Sequence, residues 1–86
     1  MKVSDIRTDG IYRVNGVCGP VRAVEVYAGE DDTPEKVRWQ KVAWDYEEGR
    51  WCTLFGYRCA GTRCARTFAR AAKVIGSWPD QREEAA

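Results

Sequence analysis

VRWQKVAWDY, residues 37–46, has the β-branched and aromatic composition of a strand, yet its large apolar side chains do not alternate. Val37 and Trp39 have one parity and Val42 and Trp44 the other. Successive strand side chains point to opposite faces, so one buried face cannot take all four. One extra residue near Gln40–Lys41 repairs the pattern. Val37, Trp39, Val42, Trp44 and Tyr46 then share a face, with Arg38, Ala43 and Asp45 turned away. A β-bulge supplies that residue and bends the strand, as a small barrel requires. A bulge or sharp bend at Gln40–Lys41 is therefore expected.

Downstream, Glu47-Glu48-Gly49-Arg50 reads as a turn into the partner strand WCTLFGY. Trp44 or Tyr46 can then face Trp51 across the hairpin, a favourable aromatic pairing. Upstream, GEDDTPEK (29–36) is an acidic surface loop. Before it, Asp9-Gly10, Asn15-Gly16 and Gly19-Pro20 punctuate IYRV and VRAVEVYA, which read as a hairpin over 11–28 with Val24 and Val26 on one face.

GTRCARTFARAAKVIGS (61–77) reads as one amphipathic helix. Thr62 is the expected N-cap and Gly76-Ser77 the stop, with Pro79 beyond. Cys64, Phe68, Ala71, Ala72 and Ile75 fall on one side at helical spacing; Arg63, Arg66, Arg70 and Lys73 fall on the other. The bland account of the basic side is a solvated face, partly neutralised by the acidic loop at 30–35. The functional account is contact with phosphates or an acidic protein surface.

The chain has 86 residues, enough for one domain and one modest core. Its four tryptophans and four tyrosines offset the small size, since a buried ring removes about 150–250 Å² from water. Net charge is only +1, but residues 51–76 carry five basic groups and no acid, whereas residues 30–50 carry seven acids against four bases. No apolar run approaches the roughly 20 residues of a membrane helix, and MKVSDIRTDG lacks an apolar signal core, so a cytoplasmic location without membrane contact is expected.

Four cysteines (Cys18, Cys52, Cys59, Cys64) without a CxxC pair, in a chain with no histidine, give no zinc pattern. They read as free thiols, with a Cys59–Cys64 disulfide as the alternative. No metal or other cofactor is expected. Catalysis is poorly supported: there is no histidine, no phosphate-binding glycine loop, and no base beside a cysteine. A non-enzymatic role is the expectation.

The order GIYRV–G–PVRAVEV, VRW…V, glycine turn, then C-x-x-T-F-A-R-x-A resembles small proteins encoded by bacteriophages and prophages. The closing residues that carry the resemblance are Cys64, Thr67, Phe68, Ala69, Arg70 and Ala72, with Ala71 where such a motif has tryptophan. The resemblance implies a phage accessory protein acting in the host cytoplasm. The strand order with a terminal helix is also similar to SH3-like and Tudor-like barrels, whose fold alone does not give function.

The expected fold is α+β: a small SH3-like, strongly bent antiparallel sheet or barrel of four or five strands with one C-terminal helix. It occupies residues 1–76, and residues 77–86 form a frayed or disordered tail. The expected function is a binding module that docks on a host or phage protein, with inhibition of a host defence complex as its outcome. Nucleic-acid binding and a structural homodimer are the alternatives. The expected contacts are Arg58, Arg63, Arg66, Arg70 and Lys73, with Tyr27, Tyr57 and Trp78 as exposed aromatics. Trp39, Trp44 and Trp51 are assigned to the core.

Overall fold

A computed structural model describes residues 1–83. The elements are β1 (Gly10–Val14), β2 (Pro20–Ala28), β3 (Pro34–Asp45), β4 (Arg50–Thr53), β5 (Ala60–Cys64), α1 (Ala65–Ala71), β6 (Ala72–Ser77) and β7 (Gln81–Arg82). The strands form an antiparallel sheet in the order β4-β3-β2-β1-β6-β7, with β5 also paired to β3. The sheet curls into a half-barrel, so the α+β, barrel-like class is observed, with seven strands rather than four or five.

Of the bulge or sharp bend expected on β3, the bulge is absent from its pairing with β2. That ladder runs unbroken through Trp39, Gln40 and Lys41. Instead β3 alternates regularly and buries both faces. Val37 is fully buried against Tyr12, Val21 and Phe68, with Trp39 packed on the same cluster. Val42 lies in a second cluster with Ile11, Trp51 and Ile75, flanked by Trp44. The parity break in VRWQKVAWDY marks the point where the strand passes from one core to the other. A bulge of the expected kind occurs on β2, where the register shifts between Ala23 and Glu25 and leaves Val24 extra. It lets Ala23 and Val26 share the first core face, so Val24 and Val26 do not lie together.

β1 makes the same point. Ile11 and Tyr12 are adjacent and both fully buried, in opposite clusters. A strand buried on both faces sits inside a sheet, with a neighbour on each edge. β2 supplies one edge through a hairpin whose connection carries Gly16 and Gly19 at positive φ. β6 supplies the other.

That demand for a second neighbour shortens the helix. The expected span over 63–75 is cut to seven residues, Ala65–Ala71. Thr62 lies in β5 opposite Arg38 rather than at an N-cap, and Lys73 to Ser77 pair with β1. Val74-Ile75 is a β-branched pair that serves a strand better than a helix end. A seven-residue helix is not stable alone and is held by packing. Phe68, Ala65 and Ala69 are buried over the first core, with Phe68 edge-on to Tyr12 at 5.2 Å between centroids.

The helix is not terminal either. Residues 77–83, assigned by sequence to the tail, complete β6, make a turn and form β7 against Gly76 and Ser77. Residues 84–86 of that expected tail lie outside the described residues. Trp51 joins the two ends of the sheet: its amide donates to Pro79 O at 2.7 Å and its Nε1 to Gln81 O at 3.0 Å. Gly76 permits this approach, because a Cβ there would strike the Gln81 carbonyl. Trp51 also stacks edge-on with Trp44, 5.1 Å away, in the expected cross-strand pair.

Trp51→Phe keeps most of the buried ring but leaves Gln81 O without its donor. It should cost about 1 kcal/mol, whereas Trp51→Ala should cost about 3–5 kcal/mol. Urea unfolding measures both, and an unchanged stability in Trp51→Phe would contradict the clasp.

Tyr12 gives a pH prediction. Burial pushes its phenol above the ordinary tyrosine value, outweighing the lowering by the Arg7 amide, which donates to Tyr12 Oη at 2.9 Å. The unfolded chain therefore releases this proton before the folded one. The contribution is complete below the ordinary value and is lost as pH rises past it. Tyr12→Phe should make the alkaline fall in stability shallower, measured by denaturant melts at pH 8 and pH 11; an unchanged fall would count against it.

Candidate functional site

β4 and β5 pair with consecutive parts of the same edge of β3. Thr53 lies opposite Val42 and Ala60 opposite Gln40, so Leu54–Cys59 loops out at Lys41 alone. Lys41 closes the loop's base: its amide donates to Cys59 O at 2.6 Å and its carbonyl accepts from Leu54 N at 2.9 Å. Gln40 Nε2 adds a bond to Leu54 O at 2.6 Å. The strand expected over WCTLFGY thus ends at Thr53.

The loop carries the most exposed aromatics of the described fold. Phe55 is 85% exposed and Tyr57 86%, with Leu54 half-exposed beside them. Arg58, at φ 60°, places its guanidinium 5.0 Å from the Tyr57 ring.

The expected basic residues do not form one stripe. Arg58 and Arg63 line a groove of about 430 Å³ with Trp39 and Lys41. Gly61 lets Trp39 lie flat on β5, since a Cβ there would come within 2.7 Å of the indole. Arg66, in the first turn of α1, lines a different groove, of about 950 Å³, together with Glu30 and Glu35. The acidic loop thus lies by the helix start, as the bland account of the basic side requires for Arg66. Arg70 is exposed on α1, and Lys73 is exposed on β6 opposite Arg13.

The three aromatics also divide. Tyr57 is open, and Tyr27 on β2 is 41% exposed. Trp78 is half-buried against the second core, with the Arg22 guanidinium 4.3 Å over its ring and its amide donating to Asp9 O. Arg22 is itself paired with Asp9 at 2.7 Å, so Trp78 belongs to the fold. Sequence reasoning missed Lys41 and Phe55 as site residues. Neither belongs to a charge run or motif; only the loop's insertion opposite Lys41 brings them forward.

All four cysteines are unpaired, including Cys59 and Cys64. Among the described residues no three cysteine or acidic side chains gather in a metal-holding arrangement, and no helix is long and apolar enough to cross a membrane. Cys64 precedes α1. The amide of Thr67, and then that of Arg66, favours its thiolate and lowers its pKa.

Comparison of the chain with protein-family models, with curated proteins and with solved structures finds no match.

Because the thiolate is the reactive form, the pH midpoint for iodoacetamide alkylation of Cys64 should lie below the ordinary thiol value. Peptide mass spectrometry across pH 6–10 reads it, and a midpoint at or above the ordinary value would contradict this assignment.

Proposed function

We propose that the protein is a non-enzymatic binding module of the phage or prophage accessory kind, which docks on a host or phage protein through the Leu54–Cys59 loop. One observation carries this reading: Phe55 and Tyr57 are 85% and 86% exposed on a loop fastened at both ends to β3. Large apolar side chains grouped in the open cost solubility unless a partner covers them. Aromatic anchors of this kind, with an adjacent arginine, dominate protein interfaces. Fastening the loop lowers the entropy lost on docking. The effect we assign to docking is obstruction of a host defence complex. Kinship with SH3-like barrels is part of the same proposal and is supported by the curled, clasped sheet.

Phe55→Ser combined with Tyr57→Ser tests it. Both side chains are exposed, so stability should change by no more than about 0.5 kcal/mol each. Proteins retained from host lysate by the wild-type chain should be lost with the double variant. Equal retention would remove the loop from the interface. A wild-type mass that doubles with concentration, and stays monomeric in the variant, would make the partner a second copy of the chain.

A further inference from the structure

Two grooves flank the tip of the β1–β2 hairpin and meet at Cys18 and Lys41. The first, of about 430 Å³, is walled by Trp39, Lys41, Arg58 and Arg63. The second, of about 310 Å³, is walled by Trp44, Tyr46 and Arg82. Among the described residues no aspartate or glutamate lines either groove. Nor does any ion pair there hold Lys41, Arg58, Arg63 or Arg82. A cleft lined by one sign of charge concentrates ligands of the other.

Flat surfaces accompany these cations. Trp39 is half-buried in the first groove. In the second, the Arg82 guanidinium lies 5.6 Å from the Trp44 ring and 5.2 Å from that of Tyr46, which is 73% exposed. Rings and guanidinium planes thus line the same continuous path as Lys41, Arg58 and Arg63.

We infer that this joined pair of grooves binds single-stranded nucleic acid, with phosphates on Lys41, Arg58 and Arg63 and unstacked bases against Trp39, Tyr46 and Arg82. An acidic peptide would use the cations and leave the ring faces without partners. A duplex keeps its bases stacked on one another and offers no free faces to aromatic side chains. The inference goes beyond protein docking and does not rest on it, since neither Phe55 nor Tyr57 lines either groove, although Leu54 and Arg58 of the same loop do. It also differs from binding by the helix: Arg66 lines a separate groove with Glu30 and Glu35, and neither Arg70 nor Lys73 lines the grooves.

The test is a tryptophan-fluorescence titration of the full chain with a twelve-nucleotide oligothymidylate. At 20 mM salt, quenching with micromolar affinity is expected. The slope of log K against log salt should be roughly −2 to −3, because each single-strand phosphate neutralised contributes about −0.7 and about four cations are available. Arg58→Glu with Arg63→Glu should weaken binding at least tenfold, while Arg66→Glu with Arg70→Glu should change it less than twofold. Should the Arg63 change disturb β5, Arg58→Glu alone, on the exposed loop, should still weaken binding several-fold. No quenching at low salt would overturn the inference, as would equal loss in the helix variant. Equal affinity for a duplex of the same length would also overturn it, and competition by polyglutamate as effective as by oligonucleotide would point to an acidic protein instead.

Discussion

Trp51 holds the two ends of the sheet together. β4 and β7 are the first and last strands of the order β4-β3-β2-β1-β6-β7, and an open sheet would leave them far apart. One residue bridges them twice, with its amide on Pro79 O and its indole nitrogen on Gln81 O, while its ring fills the second core. The burial of Ile11, Val42 and Ile75 depends on this closure, because α1 packs on the other cluster. The first core has a different cover: α1, with Val3 and Ile6 of the N-terminal turn packed beside it. One sheet therefore has two roofs, a helix on one face and its own curled end on the other.

This two-sidedness governs what the residues alone could reveal. The strands at β1 to β4, the turns between them and the Trp44–Trp51 pair follow from composition and turn chemistry, and these were legible. The parity break at 40–41 was visible too, but it admits two physical solutions. A bulge keeps one buried face; regular alternation between two cores needs none. Choosing between them requires knowing that a second apolar cover exists, and that cover comes from Trp51, Ile75 and Trp78, remote in sequence.

Residues 60–77 were misread for a related reason. Cys64, Phe68, Ala72 and Ile75 recur at helical spacing, yet only the middle of that stretch is helical. Its two ends are recruited as strands by β3 and β1, whose edges would otherwise stand unpaired. Long-range pairing outweighs local periodicity when the candidate helix is a run of small residues with one anchor. The site shows the same limit. Arg58 and Arg63 stand out as charges in the sequence, but their separation from Arg66, Arg70 and Lys73 follows from the strand–helix–strand path. Lys41 becomes prominent only because the six-residue excursion of the partner strand is centred on it.

The position of β1 also sets a schedule. Gly10 pairs with Ser77, and the N-terminal amine bonds to Ala69 O, so the most buried strand waits for the far end of the described fold. At translation speeds of about 5–20 residues per second, the interval between making β1 and making β6 is roughly 3–12 seconds. During that time β1 and β2 can form their hairpin on the ribosome, but the other edge of β1 offers open amides and carbonyls beside Ile11 and Tyr12. A newly made chain thus passes through a stage in which its stickiest edge is bare, and the wait ends only when the strand that follows α1 is made.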